Sequence, residues 1–174
     1  MTSRRRWPLA ELNALTLAEF VGIVGPVFED SPWIAAETWS RRPFADLAQF
    51  HRALCETVGG ASEVKQLALI RAHPDLVGRA ALAGTLTPES NREQASAGLD
   101  RLTASEIATF QGLNEAYRGK FGFPFVICAR LNRKESILNG FRARLQHSQA
   151  DEIKSALAEI EKIAYLRLAD IVQS

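Results

Sequence analysis

Cysteine, histidine and net charge are all scarce in this chain, and each shortage removes a class of function. Only two of the 174 residues are cysteines. Cys55 and Cys128 lie far apart, with no CxxC and no framework spacing, which excludes a disulfide scaffold or a thiolate metal knot and reads as two free, buried thiols. Of the three histidines, His51 and His147 sit in ordinary helical surroundings. Neither has a His, Cys or carboxylate partner at metal-ligand spacing, so no metal site is expected. With 21 Lys plus Arg against 20 Asp plus Glu, the formal charge is +1, too little to draw the whole molecule to nucleic acid or an anionic membrane. The basic residues are mixed with acids and carry no aromatic platform, which places nucleic-acid binding last among the functions considered. Long apolar runs are missing too. The longest, over 20–28, is broken by Gly22, Gly25 and Pro26 and falls far short of the ~20 residues a membrane span needs. The basic start at Arg4, Arg5 and Arg6 leads into Glu11, Asn13 and Glu19 instead of an apolar stretch, so residues 1–10 read as a flexible, solvated N-terminus.

What remains is an ordinary globular composition, 47% hydrophobic and 24% charged, which suits one domain over 1–174 with a substantial core and a small-molecule partner. No segment alternates like a sheet. Helix starts are legible where Thr16 precedes Glu19 and Thr103 precedes Glu106, because a hydroxyl and a carboxylate three residues apart satisfy orphan backbone donors reciprocally. Helices are therefore expected from about 17 and 104. Thr87, Pro88 and Glu89 open another, expected to run to Gly98. Further helices are expected at 33–41, 46–58, 63–72, 133–146 and 149–172, separated by Gly, Pro, Asn and Ser. The apolar run at 123–128 contains a proline and reads as a buried extended connector. The fold class is all-α, a single compact irregular bundle of about eight helices.

Three places could carry chemistry. In the last helix Ile153, Leu157, Ile160, Ala164, Leu168 and Ile171 form an apolar stripe, and Arg167 falls on it. A guanidinium there either pairs with a buried protein carboxylate or clamps a ligand carboxylate. His73 stands before Pro74, which drives its backbone toward extended geometry and sets the imidazole at a helix break. It is either a structural hydrogen-bonding group or a catalytic one. Ser90, Glu93, Gln94 and Ala97 share one helix face, which is either solvated or a polar binding surface. The aromatic stretch over 121–125 reads as core, with Gly122 and Pro124 fixing a turn whose backbone amides could face a ligand.

The segments FEDSPW at 28–33, RPF at 42–44, HPDL at 73–76, LTPESNREQ at 86–94 with AGL at 97–99, LN at 113–114, KFGFPFVI at 120–127 and RL at 167–168 occur in this order over nearly the whole chain. In that combination the sequence resembles the 2-oxo-4-hydroxy-4-carboxy-5-ureidoimidazoline (OHCU) decarboxylases, which complete the route from urate to (S)-allantoin. The resemblance implies an all-helical, cofactor-free, commonly homodimeric enzyme acting on a ureide. It assigns catalysis to His73 with Glu93 beside it, and places Pro74, Ser90, Gln94, the backbone of Phe125, Val126, Ile127, Cys128 and Ala129, and Arg167 around the substrate. Some eukaryotic members end in a peroxisomal tripeptide, whereas this sequence ends Val172-Gln-Ser174, so a cytoplasmic location is expected.

The implied substrate carries hydroxyl and carboxylate on one ring carbon beside a C=N bond that accepts the electron pair as CO2 leaves. Pyridoxal phosphate, thiamine or a metal would be superfluous. Arg167 and Gln94 would hold polar groups, and His73, oriented by Glu93, would exchange a proton with the hydroxyl or the developing enol. A neighbouring carboxylate would favour the protonated imidazole. Two other readings remain: a binding module in which His73, Glu93 and Arg167 form a structural network, and the same scaffold acting on another carboxylated ureide or a related heterocycle.

Overall fold

The computed structural model describes residues 5–173, and of Ala80 only the backbone. Along the chain run β1 (Trp7–Pro8), α1 (Leu9–Ala14), α2 (Leu17–Val24), α3 (Pro32–Thr38), α4 (Leu47–Gly59), α5 (Glu63–Ala72), α6 (Arg79–Leu82), α7 (Pro88–Ser96), α8 (Ala104–Phe121), α9 (Lys134–Arg144), α10 (Gln149–Ile171) and β2 (Val172–Gln173). Single 3-10 turns lie at Gly25–Val27, Trp39–Arg41 and Ala129–Leu131. The all-α expectation holds, and the helix starts follow the chemistry that announced them. Thr16 and Thr103 each close a full capping box with Glu19 and Glu106, and the Thr87 hydroxyl accepts the Ser90 N–H before Pro88 enters the first turn of α7.

The chain forms two compact units. The first contains residues up to Ala72 together with those from Glu161 onward. Its core is built on Phe20, Phe44 and Phe50, with the Phe44 and Phe50 rings stacked 4.3 Å apart. Asn13 clips the chain near α1 to the segment before α4, its Nδ2 donating to the Phe44 carbonyl at 2.9 Å and its Oδ1 accepting the Phe44 N–H at 2.9 Å. Arg42 donates to the Asn13 and Leu15 carbonyls at 2.7 and 2.8 Å, closing the turn where α1 gives way to α2.

The N-terminus differs from the sequence reading. Residues 1–4, and Arg4 with them, lie outside the described residues, but Trp7 and Pro8 pair in parallel with Val172 and Gln173, and α1 begins at Leu9. Arg6 fastens this pairing by donating to the carbonyls of Ala169 and Val172 at 3.0 and 2.9 Å. A two-residue pairing has no readable alternation, and its partners are the two ends of the chain.

The second unit spans His73–Ile160. Tyr117 of α8 is its fully buried centre, ringed by Phe121, Phe123, Phe125 and Phe141 with centroids 4.6 to 6.2 Å away. Edge-to-face and tilted contacts of this kind add to the burial of the rings themselves. Residues 123–128 are an irregular buried connector, as the proline in that run implies, and their rings complete the cluster. Among the described residues no helix is long and apolar enough to cross a membrane.

Candidate active site

α5 ends at Ala72, one residue before His73, as expected when proline follows. The imidazole is held in a buried place, with the residue 6% exposed. The loop over 73–78 is irregular, and three of its backbone groups are bound by side chains. The Gln94 Oε1 accepts the Val77 N–H at 3.0 Å, its Nε2 donates to the Asp75 carbonyl at 3.3 Å, and the Asn114 Nδ2 donates to the Leu76 carbonyl at 2.8 Å. Arg118 binds both oxygens of the Asp75 carboxylate through its Nε at 2.9 and 3.0 Å.

This loop stores strain and tolerates little change. Val77 has φ +54°, a left-handed conformation costly for a β-branched residue. A Cβ at Gly78 would stand 2.6 Å from the Cβ of Asp75, so only glycine fits. Strain of about 1–3 kcal/mol persists only where the surroundings over-determine the conformation, as Gln94 and Asn114 do here.

α7 presents Ser90 and Gln94 buried and Glu93 half-buried. It packs against the 3-10 turn Ala129–Leu131, which follows the connector. Burial pushes the Cys128 thiol above its ordinary value, and the charges of Glu159 and Glu93 push it the same way. Cys128 thus stays a protonated thiol beside carboxylates from two helices. Cys55 is likewise pushed up, to about 12, by burial and by Glu161 and Glu56.

The connector itself is held by charged groups. Arg144 Nη1 donates to the Val126 carbonyl at 2.7 Å, and its guanidinium lies 4.4 Å from the centre of the Phe125 ring. Glu159 Oε2 accepts the Cys128 N–H at 2.8 Å. Behind Arg144 stands Glu152, fully buried, whose carboxylate binds Arg144 at 2.9 Å, His147 Nδ1 at 2.8 Å and the Tyr117 hydroxyl. Desolvation and the Glu152 hydrogen bond push the Tyr117 phenol well above its ordinary value, which keeps it a neutral donor.

The sequence-predicted residues therefore fall into two groups. His73, Pro74, Ser90, Glu93, Gln94 and residues 125–129 all belong to the second unit, where Gln94 ties α7 to the His73 loop and Ala129 opens the turn against α7. Arg167 belongs to the first unit. It is 5% exposed, and its Nη2 donates to the equally buried Glu29 Oε1 at 2.8 Å. Burial on the stripe is as expected, and of its two readings the ion pair with a protein carboxylate is present. Among the described residues no cluster of three or more His, Cys, Asp or Glu side chains is placed to hold a metal.

Asn114, Tyr117, Arg118, Arg144, Glu152 and Glu159 have no role in the sequence reading. Asn114 had a visible signal, since it shares a helix face with Phe110, Tyr117 and Phe121 and so puts an amide on an apolar stripe. Arg144 and Glu159 had none, because each grips a backbone group of an irregular segment.

A sequence profile described as OHCU decarboxylase matches residues 13–169. The chain is 44% identical over 166 residues to the 2-oxo-4-hydroxy-4-carboxy-5-ureidoimidazoline decarboxylase of Halalkalicoccus jeotgali, covering 95% of this chain and 92% of that protein. It is 43% identical over 165 residues to the same-named protein of Amia calva, covering 95% and 94%. In structure it is similar to a crystallised (S)-allantoin synthase, with a TM-score of 0.74 and 28% identity over 95% of this chain and 54% of that one. The match runs through the pinned His73 loop, α7, the connector and Arg167 alike, and on this ground the chain belongs to the OHCU decarboxylase family.

Proposed function

We propose that this protein decarboxylates OHCU to (S)-allantoin without a cofactor, with His73 as the proton-transferring group and Glu93 orienting it. The observation that carries the reading is a buried histidine on a strained loop that two helices hold in place, in a chain of this family. Pre-organisation of this kind is what a proton-transfer catalyst requires, because a displaced imidazole loses its alignment with the reacting atom.

The carbon–carbon bond to the carboxylate breaks, CO2 leaves, and the electron pair passes into the adjacent C=N bond, whose nitrogen takes a proton. The enol that results loses its hydroxyl proton and gains one at the neighbouring carbon, which creates the stereocentre. His73 is the group that moves a proton in this sequence. Ser90, Gln94 and the backbone of residues 125–129 hold the ring, with Pro74 against it. The Gln94 amide already spends one donor and its oxygen on the His73 loop, so its role toward substrate is exerted through its remaining donor and through the loop itself. Arg167 binds an anionic group of the substrate while Glu29 fixes its guanidinium; the five donors of an arginine permit both. The same family likeness supports a homodimer and a cytoplasmic location.

The specific observation of the Arg167–Glu29 pair also favours a second role for Arg167, as a structural tie within the first unit. The two roles separate by measurement: Arg167→Lys raises KM with the melting temperature nearly unchanged if the substrate role dominates, and lowers the melting temperature with KM unchanged if the tie dominates. The activity itself is tested by generating the substrate from urate with a urate oxidase and a hydroxyisourate hydrolase, adding the protein, and following circular dichroism. A rapid (S)-allantoin signal is expected. Decay at the spontaneous rate with folded protein present contradicts the assignment.

A further inference from the structure

The connector over 123–128 is gripped at two successive peptide units by opposite charges, and the arrangement has a chemical sense. The Val126 carbonyl and the Ile127 N–H belong to one peptide unit; the Ile127 carbonyl and the Cys128 N–H belong to the next. Among the described residues the one cis peptide bond is Arg42–Pro43, so both of these units are trans and their N–H and C=O groups point in opposite directions. Arg144 holds the first unit by its oxygen at 2.7 Å, which aims the Ile127 N–H away from the guanidinium. Glu159 holds the second by its N–H at 2.8 Å, which aims the Ile127 carbonyl away from the carboxylate.

Each charge also polarises the unit that it grips. A cation on the Val126 oxygen draws electron density from the peptide nitrogen and makes the Ile127 N–H a stronger donor. An anion on the Cys128 N–H pushes density toward the Ile127 oxygen and makes it a stronger acceptor. Both clamps act in the direction that strengthens the donor–acceptor pair on one residue, and exchanging the two charges would weaken both members of the pair. Ile127 itself is half-buried, between the buried Val126 and Cys128. Arg144 is fixed in turn by the fully buried Glu152, which also binds Tyr117 and His147.

We infer that Arg144 and Glu159 are positioning residues that orient and polarise the Ile127 N–H and C=O to read a ring edge offering one acceptor and one donor side by side, as a cyclic ureide does. This rests on the proposed decarboxylase reading and deepens it: the clamps select for an uncharged amide edge, and ring analogues methylated on that nitrogen are rejected because the Ile127 carbonyl is left without a donor.

The test compares Glu159→Gln, which keeps an acceptor oxygen and drops the charge, with Glu159→Met, which drops both, and Arg144→Lys, which keeps the charge without the fork. Steady-state kinetics on the in situ substrate and calorimetric titration with (S)-allantoin supply the readouts. The amide 15N and 1H shifts of Ile127 supply a third. Glu159→Met should raise KM about tenfold with kcat within about twofold, Glu159→Gln should recover part of that loss, and the Ile127 amide resonance should move in Arg144→Lys. Should Glu159→Met fail to fold, Glu159→Gln and Arg144→Lys carry the same comparison. Wild-type KM in these variants, or equal loss in Gln and Met variants, overturns the inference while leaving the decarboxylase reading intact. A wild-type protein that does not accelerate substrate decay overturns the reading beneath it.

Discussion

Two irregular segments of the second unit are both held by side chains, but with different chemistry. The His73 loop is secured mainly by the neutral amides of Gln94 and Asn114, whereas the connector before Ala129 is secured by Arg144 and Glu159, with a fully buried carboxylate behind them. Neutral amides satisfy a backbone turn while polarising it less than ions do, which would suit a loop proposed to hold one imidazole still. Charged partners both fix and polarise, which suits a segment whose own peptide groups are to make contacts. The difference teaches that a segment can be held by neutral amides that fix its shape or by ions that also bias its backbone polarity, and the proposed reaction would use the first for His73 and the second for the Ile127 peptide groups.

The comparison can be broken at several points. The largest effect belongs to His73→Ala, which should lower kcat by roughly 10²- to 10⁴-fold, the usual contribution of positioned proton transfer, while far-ultraviolet circular dichroism stays native. Wild-type turnover in that variant would show that the loop holds a structural histidine. Next is Glu152→Leu. It strands Arg144 beside Phe125 and should cost about 3–5 kcal/mol in urea unfolding, as removal of one partner from a buried pair does. A loss below 1 kcal/mol would mean that the network does little to hold the connector.

Asn114→Leu leaves the buried Leu76 carbonyl without its donor and should cost about 1–3 kcal/mol, with a fall in kcat as the His73 loop relaxes. Stability loss with unchanged kcat would separate Asn114 from the proposed role of the His73 loop. The smallest effect is expected from Arg118→Gln. Its Nε–H is shared between both Asp75 oxygens, and Arg118 is 45% exposed on its side chain, so the loss should stay within about 1 kcal/mol and diminish further in high salt. A larger, salt-independent loss would make Asp75 a principal anchor of the loop.

Much of this is legible in the residues alone. Capping chemistry at Thr16, Thr87 and Thr103 is local, so helix starts could be read directly, and the proline after His73 marked the helix break. The apolar stripe of α10 correctly buried Arg167, yet its partner Glu29 is 138 residues away and no periodicity connects them. The pairing of Trp7 and Pro8 with Val172 and Gln173 was invisible for the same reason. Of the candidate site, the residue types are legible, and the resemblance implies which of them face the substrate. What no pattern could reveal was how the backbone of two irregular segments is satisfied, since Gln94, Asn114, Arg144 and Glu159 serve peptide groups that look alike in every sequence.

The most direct measurement is chiral chromatography of the allantoin formed from in situ substrate by the wild-type protein and by His73→Ala. The account predicts almost pure (S)-allantoin from the wild type and the racemate of spontaneous decay from the variant. Racemic product from the wild type, or (S)-allantoin at an undiminished rate from His73→Ala, would contradict it.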